Sequence, residues 1–437
     1  MNLEAAYQAH VEQLQRGYAQ VLERAQLDAV ILHAGSLKPR STFDDQYWPL
    51  RATPHYQHWL PLAVPDCALV IRPGHRPRLI WLKEQNFWEK PAAPDSDHWQ
   101  SSFEIINIRE VHEARAHFPE GRVAFIAEDE QRAALWKLAD VRNPPQLVKE
   151  LDQLRVAKTA YEVLCLAEAN RRAASGHAAV RAAFHDGDRS ELDLHLLYLA
   201  ATGQDDPETP YKNIVALGEH AATLHHVSYR KQPEARAAQS LLLDAGATYQ
   251  GYCSDITRTF VKGAGAQASV FGELVARVEK MQQQLCDEVK VGLPYERLHE
   301  RAHEEVGAIL AALGVVKVSA EEAVTAGLTR AFFPHGLGHS LGLQCHDVGC
   351  AELKPKPSNP FLRNTMIIAP EQVFTIEPGV YFIDLLLEPL RNGPAASRID
   401  WQLVDVLAQL GGVRIEDDLR VRASGPAENL TRAHLPT

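Results

Sequence analysis

The sequence lacks long apolar runs and paired cysteines. No window reaches the roughly 18 uninterrupted apolar residues that a membrane-spanning helix needs, and residues 1–26 predict a polar amphipathic helix. The six cysteines are scattered and include no Cys-X-X-Cys pair, which favours reduced thiols over a disulfide framework. We therefore expect a soluble, cytoplasmic protein with no membrane partner.

An excess of positive charge is also missing. Lysine and arginine number 45 against 56 aspartates and glutamates, so the formal net charge is −11. An acidic chain without a basic patch repels phosphate backbones, which argues against a nucleic-acid partner. The glycine-rich segment KGAGAQAS does not have the strand–loop–helix pattern of a phosphate loop, so a nucleotide-binding fold is disfavoured.

The length of 437 residues predicts two domains. Short β-rich runs separated by turns predict an α/β domain over residues 1–157, and a long helical stretch leads from it into a second domain over 158–437. In that second domain, predicted strands lie at both ends around central helices, which favours an α+β fold with an antiparallel sheet. The predicted strands are 213–217, 240–247, 256–262, 372–382 and 411–421, and the central helices are 269–290 and 295–313.

Two aspartates flank a glycine-containing turn in LLLDAGATYQGYCSDITR. Asp244 and Asp255 are eleven residues apart, a spacing that can bring two adjacent antiparallel strands together so that both carboxylates face one point. A carboxylate beside a buried apolar strand is costly unless it is paired or binds a metal. Taken alone, Asp244 is better explained as a turn or capping residue.

A glycine-rich segment, FFPHGLGHSLGLQCHDVG, carries three histidines. His335, His339 and His346 fall within twelve residues, among glycines that allow the backbone to pack tightly around them. Imidazole is a common metal ligand and a proton carrier near neutral pH. Three histidines in this setting favour a functional site over three separate structural roles.

Two further acids lie in stretches that predict buried strands. Glu377 interrupts the apolar run VFTIEPGVYF, where water is unlikely to satisfy it. Glu416 lies in GGVRIEDDL, two residues from Arg414, so the two side chains share a face if the segment is a strand. An internal ion pair between Arg414 and Glu416 is an equally good explanation of that pair.

Hard oxygen donors dominate this set of acids and imidazoles. Such a set suits Mn²⁺, Co²⁺ or Zn²⁺ in a carboxylate-bridged pair. Two divalent ions balance four carboxylates, and one added hydroxide leaves the cluster with a single negative charge. A hydroxide held between two such ions is the nucleophile of two-metal hydrolysis.

At these residues the sequence resembles the metal-dependent Xaa-Pro dipeptidases, or prolidases, of the creatinase/methionine-aminopeptidase pita-bread family. The resemblance covers essentially the whole chain, is most specific in DAG…D, HGLGHSLGLQCHDVG, TIEPGVYF and RIED, and is closest to the bacterial group that includes organophosphorus acid anhydrolases. It implies a creatinase-like α/β domain that contributes to dimerisation, followed by a pita-bread domain with a curved antiparallel sheet flanked by helices. The metal ligands that it implies are Asp244, Asp255, His339, Glu377 and Glu416, with Asp255 and Glu416 bridging two ions.

The resemblance also implies roles for residues around the metals. His346 would hydrogen-bond the scissile carbonyl oxygen, and Glu377 would carry a proton to the leaving proline nitrogen. His335 corresponds to a histidine that supports the ligands or contacts the substrate. Arg414 would orient the neighbouring bridging carboxylate.

Three more site residues come from the resemblance. Arg363 corresponds to the arginine that clamps the free carboxylate of a C-terminal proline. The family's single histidine in ATLHHVSYR corresponds to His225 or to His226, and we favour His225 because it directly follows Leu224. Tyr211 is either a pocket wall that hydrogen-bonds the substrate or a packed core tyrosine.

Two further features of the sequence are Cys345 and an aromatic-rich segment at residues 41–59. Cys345 stands where the family usually has a β-branched aliphatic residue, and a thiol there could add sensitivity to oxidation. In STFDDQYWPLRATPHYQHW, Asp44 or Asp45 could recognise a substrate ammonium group at the partner's active site, although an aromatic packing loop explains this stretch equally well.

The sequence thus predicts a homodimeric dinuclear-metal exopeptidase, loaded with Mn²⁺ in preference to Zn²⁺ or Co²⁺. It would hydrolyse Xaa-Pro dipeptides to a free amino acid and proline through a hydroxide that bridges the metals. An organophosphorus triester hydrolase would use the same hydroxide. Arg363 argues against an aminopeptidase P, because longer peptides place no carboxylate there, and the five intact ligand positions argue against a metal-free binding protein on the same fold.

Overall fold

The computed structural model describes residues 2–83, 97–233, 238–351 and 353–435. Two units make up the chain, one ending at Leu164 and the other beginning at Cys165. Across the described ranges, no helix combines the length and the apolar character needed to cross a membrane.

A five-stranded mixed sheet forms the centre of the first unit. Its elements are, in chain order, α1 (Leu3–Arg24), β1 (Ala29–His33), α2 (Pro54–Gln57), β2 (Ala68–Ile71), β3 (Arg78–Leu82), β4 (Glu104–Ile108), β5 (Val123–Ile126), α3 (Glu130–Leu135) and α4 (Pro145–Gln153). The strand order is β4-β3-β2-β1-β5, with β1 parallel to β5 and β3 parallel to β4. Helix α1 begins where the Asn2 side chain accepts a hydrogen bond from the Ala5 backbone N–H, and it buries one face that includes Tyr7, Leu14 and Tyr18. The predicted α/β character of this part of the chain is confirmed.

The second unit has more elements, and every named strand pair in it is antiparallel. Its elements are α5 (Ala160–Asp186), which starts before the division, α6 (Glu191–Thr202), β6 (Ile214–Leu217), β7 (Ser240–Asp244), β8 (Thr248–Tyr249), β9 (Tyr252–Cys253), β10 (Thr257–Val261), α7 (Ala266–Asp287), α8 (Tyr295–Ala312), α9 (Ala320–Thr325), α10 (Thr329–Phe332), β11 (Val373–Ile376), β12 (Gly379–Tyr381), α11 (Asp384–Arg391), α12 (Trp401–Ala408), β13 (Gly412–Arg414), β14 (Asp417–Arg420) and β15 (Glu428–Asn429). Strands β10, β7 and β6 form one sheet, β11, β14 and β15 a second, and β12 with β13 a third. The prediction of an α+β fold with antiparallel pairing is confirmed.

Helices α7 and α8 cover the strands that carry the predicted site. The main hydrophobic core of this unit joins Phe271 and Leu274 of α7 to Leu298 of α8 and to Phe374 and Leu419 of the sheet. Burial of these apolar side chains holds the strands in place, since each one removes hydrocarbon surface from water. The polar residues at the strand ends are therefore held by a rigid support.

Two segments predicted as continuous strands are each broken in two. The run 372–382 divides into β11 and β12, and the run 411–421 divides into β13 and β14. At the first break, Glu377 is followed by Pro378. Proline has no backbone N–H to donate to a neighbouring strand, so the strand is interrupted there. At the second break, Glu416 forms an isolated bridge with Thr257 of β10. Both predicted acidic ligands therefore lie at strand breaks and not within regular strands.

Candidate metal centre

The predicted approach of two strands places Asp244 and Asp255 side by side. Gln250 and Gly251 both have positive φ, at 51° and 88°, and they form the tight turn between β8 and β9. Beyond that hairpin the chain returns as β10, which pairs antiparallel with β7 so that Asp244 stands opposite Thr257. Asp244 and Asp255 are both buried. The turn and the pairing therefore bring together the strand ends next to the two aspartates, as their spacing predicted.

The histidine segment lies against β11. The His339 backbone N–H donates to Thr375 Oγ1 at 3.2 Å, and the Thr375 N–H donates to the His339 carbonyl at 2.9 Å. Gly338 is required here, because a Cβ at that position would lie 2.2 Å from the Thr375 carbonyl oxygen. This packing brings His339 Nε2 to 3.4 Å from Asp255 Oδ2 and 3.5 Å from Glu377 Oε1.

Glu416 completes the cluster from the second strand break. Its backbone N–H donates to the Thr257 carbonyl at 3.0 Å, and Thr257 Oγ1 donates to Glu416 Oε2 at 2.6 Å. Asp255, His339 and Glu416 are buried, and each offers one donor atom within 4.8 Å of the others. Carboxylate oxygens and an imidazole nitrogen at such separations can share a divalent ion.

The electrostatics of the carboxylates favours a bound cation. Burial raises the pKa of Glu416 well above its usual range, and the negative charges of Asp255 and Glu377 add to the effect. Burial likewise raises the pKa of Glu377 to about 7 and raises the pKa of Asp244. The buried Asp244 Oδ1 has no hydrogen-bond partner among the described residues. Buried carboxylates in excess of their positive neighbours, one with an unused oxygen, fit a site for divalent metal ions.

His339 is prepared for metal binding by its two ring nitrogens. Nδ1 is 3.1 Å from the Ser340 carbonyl, so it carries a hydrogen and donates to it, which leaves Nε2 directed toward the carboxylates. Burial lowers the pKa of His339, but the hydrogen bond to Asp255 and the charge of Glu377 outweigh it and raise the pKa to about 9. A metal ion would take the place of that proton on Nε2.

Arg414 does not pair with Glu416 in the way the sequence suggested. Its Nη2 donates to Asp244 Oδ2 at 2.6 Å, and its Nε donates to Thr257 Oγ1 at 3.2 Å, the hydroxyl that bonds Glu416. Because β13 ends at Arg414 and β14 begins at Asp417, Arg414 and Glu416 are not alternate residues of one regular strand. Arg414 therefore orients Asp244 directly and Glu416 only through Thr257.

A chain of hydrogen bonds leads from Arg414 to His335. Arg414 Nη1 donates to the Tyr381 hydroxyl at 2.9 Å, and that hydroxyl is 2.8 Å from His335 Nε2. His335 Nδ1 lies 2.8 Å from the Gly336 carbonyl, an acceptor only, so Nδ1 carries the hydrogen and Nε2 accepts from Tyr381. Burial lowers the pKa of His335 to about 3, in agreement with a neutral ring. Its Nδ1 is 3.9 Å from Glu377 Oε2.

Three exposed residues lie near the cluster: His346, His225 and Arg363. The His346 ring centroid is 4.4 Å from that of His339. Partial burial lowers the pKa of His346 to about 4, and the positive charges of His339 and Arg363 contribute in the same direction. A positive charge on His225 also lowers the pKa of His346 and of His335, so His225 lies in the neighbourhood of both rings.

Tyr211 and Asp418 both form hydrogen bonds with Asp255. The Tyr211 hydroxyl donates a short hydrogen bond to Asp255 Oδ1, a contact that the sequence did not predict. Asp418 Oδ2 accepts the Asp255 backbone N–H at 3.1 Å and also the Asn170 amide at 2.8 Å. The only sequence signal for Asp418 is its place directly after RIED, so its role could not be predicted.

Asp44 and Asp45 lie in an exposed loop of the first unit. Their side chains bond within that loop, with Asp45 Oδ1 accepting from the Gln46 amide at 3.0 Å. Their suggested part in substrate recognition stays a prediction.

A buried glutamate fixes the loop that carries His225. Glu191 is the first residue of α6 and is fully buried. Its Oε1 accepts from the Leu217 N–H at 3.0 Å and faces His220 Nδ1 at 2.7 Å. Its Oε2 accepts from the Arg230 N–H at 2.8 Å and faces His226 Nε2 at 2.9 Å. Both ends of the segment 217–230 are thus attached to one carboxylate, and the His226 side chain is directed to Glu191.

Replacing Glu191 with alanine is expected to destabilise the second unit. Two backbone N–H groups and two imidazoles would lose their acceptor, so we expect the free energy of unfolding to fall by roughly 3 kcal/mol. Urea denaturation measures the change. Glu219→Ala is the matched control, because Glu219 lies in the same segment but is exposed, and we expect it to change stability by less than about 0.5 kcal/mol. Equal effects of both substitutions would contradict this account of Glu191.

Two family models match the chain. Residues 165–423 match the model of metallopeptidase family M24, and residues 5–153 match that of the Xaa-Pro dipeptidase N-terminal domain. The chain is 42% identical over 434 residues to the Xaa-Pro dipeptidase of Marinobacter nauticus, with 97% of each chain covered. It is 37% identical over 436 residues to the Xaa-Pro dipeptidase of Pseudoalteromonas atlantica, covering 98% of this chain and 97% of the relative.

Solved structures of the same fold cover nearly the whole chain. Proline aminopeptidase P II from Yersinia pestis superposes with a TM-score of 0.73 at 22% identity, covering 99% of this chain and 97% of that one. Zinc-substituted Escherichia coli aminopeptidase P in complex with product gives a TM-score of 0.73 at 22% identity, covering 98% of this chain and 96% of that one. At this identity the likeness establishes the fold alone, and it confirms the predicted pita-bread architecture.

Proposed function

The chain belongs to metallopeptidase family M24, and from that membership we propose that it hydrolyses Xaa-Pro dipeptides to a free amino acid and proline. The observation that carries the proposal is the buried cluster of Asp255, His339 and Glu416, in a chain that is 37–42% identical over its full length to named Xaa-Pro dipeptidases. The aminopeptidase P structures, at 20–22% identity, are more distant. A metal-dependent dipeptidase is therefore favoured over an aminopeptidase P.

We propose that the cofactors are two divalent metal ions, with Mn²⁺ preferred to Zn²⁺ and Co²⁺. Bound divalent ions supply Lewis-acid chemistry, which acidifies water and polarises a carbonyl oxygen. Asp255, His339 and Glu416 would hold the ions, since one ligand atom of each lies within 4.8 Å of the others. Asp244, through its unpaired Oδ1, and Glu377, which lies 3.5 Å from His339, would supply further ligands.

Residues in and around the metal centre would bind the substrate and transfer the proton. His346 is exposed and lies next to His339, where it can donate a hydrogen bond to the scissile carbonyl oxygen. Glu377 faces both His339 and His335, and it would carry a proton from the attacking water to the proline nitrogen. His225 would line the pocket beside His346. An amide nitrogen leaves readily only when it is protonated, so this proton delivery lets the proline ring nitrogen leave.

Arg363 would restrict the enzyme to dipeptides. It is exposed, and no described carboxylate pairs with its guanidinium. The backbone of residues 361–363 packs against Gly336: a Cβ added to Gly336 would lie 3.3 Å from the backbone nitrogen of Arg363. The Arg363 side chain therefore begins next to the histidine segment. An available guanidinium at this place can bind the carboxylate of a C-terminal proline through two hydrogen bonds.

We further propose a cytoplasmic homodimer. All six cysteines are free thiols, which suits a reducing compartment. Phe43, Tyr47 and Trp48 are exposed in the first unit, as expected for a surface that a second subunit covers.

Release of leucine from Leu-Pro and from a tripeptide that begins with Leu-Pro tests the substrate class, because cleavage of the Leu–Pro bond frees leucine from both peptides. In the presence of Mn²⁺ we expect rapid release from the dipeptide and release from the tripeptide lower by roughly 100-fold, because the tripeptide moves the carboxylate out of reach of Arg363. Equal cleavage of both peptides would assign the chain an aminopeptidase P activity instead.

A further inference from the structure

Cys345 shares a carboxylate oxygen with His339. Its S–H donates to Asp255 Oδ2 at 3.0 Å, the oxygen that lies 3.4 Å from His339 Nε2. Cys345, His339 and His346 each offer a donor atom, and these atoms lie within 4.8 Å of one another. A sulfur atom therefore stands among the donors that surround the candidate metal centre.

The separation between sulfur and oxygen fits two ligands of one ion. Metal–sulfur bonds of about 2.3 Å and metal–oxygen bonds of about 2.1 Å place the two ligand atoms roughly 3.1 Å apart at a right angle and 3.6 Å apart at a tetrahedral angle. The distance of 3.0 Å from Cys345 Sγ to Asp255 Oδ2 lies close to this range. An ion that uses Asp255 Oδ2 and His339 Nε2 would have the sulfur beside it without any movement of the backbone.

We propose that Cys345 is a ligand of the metal centre and gives it a sulfur donor for divalent ions softer than Mn²⁺, such as Co²⁺, Zn²⁺ and Cd²⁺. The inference rests on the metal centre of the proposed function. On binding, the S–H bond breaks, the proton passes to water, and a sulfur lone pair forms the bond to the ion. Mn²⁺ prefers oxygen ligands and gains little from sulfur. Cys345 therefore raises the affinity of the site for the softer ions and leaves its affinity for Mn²⁺ nearly unchanged.

The simpler alternative is that Cys345 only donates a hydrogen bond to Asp255. In that case the thiol would orient one carboxylate, and removing it would weaken the binding of every metal alike. A selective effect on soft ions therefore separates a sulfur ligand from a positioning residue.

Titration of the metal-free full chain with Co²⁺ tests the proposal through absorption spectra. We expect a sulfur-to-cobalt charge-transfer band in the near ultraviolet, together with the visible bands of bound Co²⁺. The charge-transfer band should disappear in Cys345→Val while the visible bands remain. Cys350→Val is the matched control and should keep both, since Cys350 Sγ instead donates to the Asp347 carbonyl at 3.6 Å.

Metal affinities give a second readout. In Cys345→Val we expect Cd²⁺ affinity to fall by roughly 10–100-fold and Mn²⁺ affinity to change by less than about 3-fold. Visible bands without a charge-transfer band in the parent protein would overturn the sulfur ligand and leave the metal centre intact. A parent protein without any bands of bound Co²⁺ would overturn the metal centre and the proposed function with it.

Discussion

Replacing Asp255 with alanine is expected to abolish hydrolysis of Leu-Pro and to lower metal affinity by more than about 100-fold. Removing a partner that only orients a ligand typically costs 10–100-fold in affinity or activity, and Asp255 is itself at the centre of the cluster. Its Oδ2 lies close to both His339 Nε2 and Cys345 Sγ, and its Oδ1 accepts from Tyr211. Metal content after dialysis and proline release measure the two losses.

Two further variants separate the loss of a ligand from a loss of folding. Asp255→Asn keeps the shape of the side chain but removes its charge, and we expect it to lose activity as completely as the alanine variant. Asp287→Ala removes an exposed aspartate at the end of α7, and we expect it to bind metal normally. Full activity of either Asp255 variant would show that Asp255 is not a ligand.

Replacing Arg363 with alanine is expected to raise the KM for Leu-Pro by roughly 10–100-fold, because the substrate carboxylate would lose a charged pair of hydrogen bonds. The kcat should fall much less, since Arg363 does not belong to the buried cluster. Leu-Pro amide has no carboxylate for Arg363 to bind, so its low rate of hydrolysis should be the same in the parent and the variant. Initial rates over a range of both substrates provide the comparison.

Arg363→Lys sharpens this test. Lysine keeps the charge but cannot form two parallel hydrogen bonds, so we expect a KM between those of the parent and the alanine variant. If the alanine variant loses activity equally on Leu-Pro and on its amide, Arg363 supports the structure of the site and does not clamp the substrate.

Local patterns predicted much of the fold. The apolar runs located β7 and β10 to within three residues of their observed bounds, because a buried strand needs continuous hydrophobic residues. The spacing of Asp244 and Asp255 around a turn predicted their approach, because a tight turn of Gln250 and Gly251 leaves the returning strand few alternatives.

Other features depend on contacts between distant segments and could not be predicted. The pairing of β11 with β14 and of β12 with β13, on the two sides of Glu377 and Glu416, is such a contact. The partner of Arg414 is Asp244, which is 170 residues away in the sequence. A pattern within one segment contains no information on such a partner, and this also explains why the short spacing to Glu416 was misleading.

The same limit applies to the residues that support the site. Tyr211 was expected either to line the pocket or to pack in the core, and neither expectation included the hydrogen bond from its hydroxyl to Asp255. Glu191 was not identified at all, because a glutamate at the start of a helix is ordinarily explained by the helix alone. Its four bonding partners come from the segment 217–230 and are recognised only once the chain is folded.

Hydrolysis of Leu-Pro by chelator-stripped protein, before and after addition of Mn²⁺, tests the central claim most directly. A metal-dependent Xaa-Pro dipeptidase should be inactive after stripping and should release proline once Mn²⁺ is restored. Undiminished release by protein shown to be free of metal would contradict a metal mechanism. No release after reloading, with metal shown to be bound, would contradict the assignment of Xaa-Pro dipeptides as substrates.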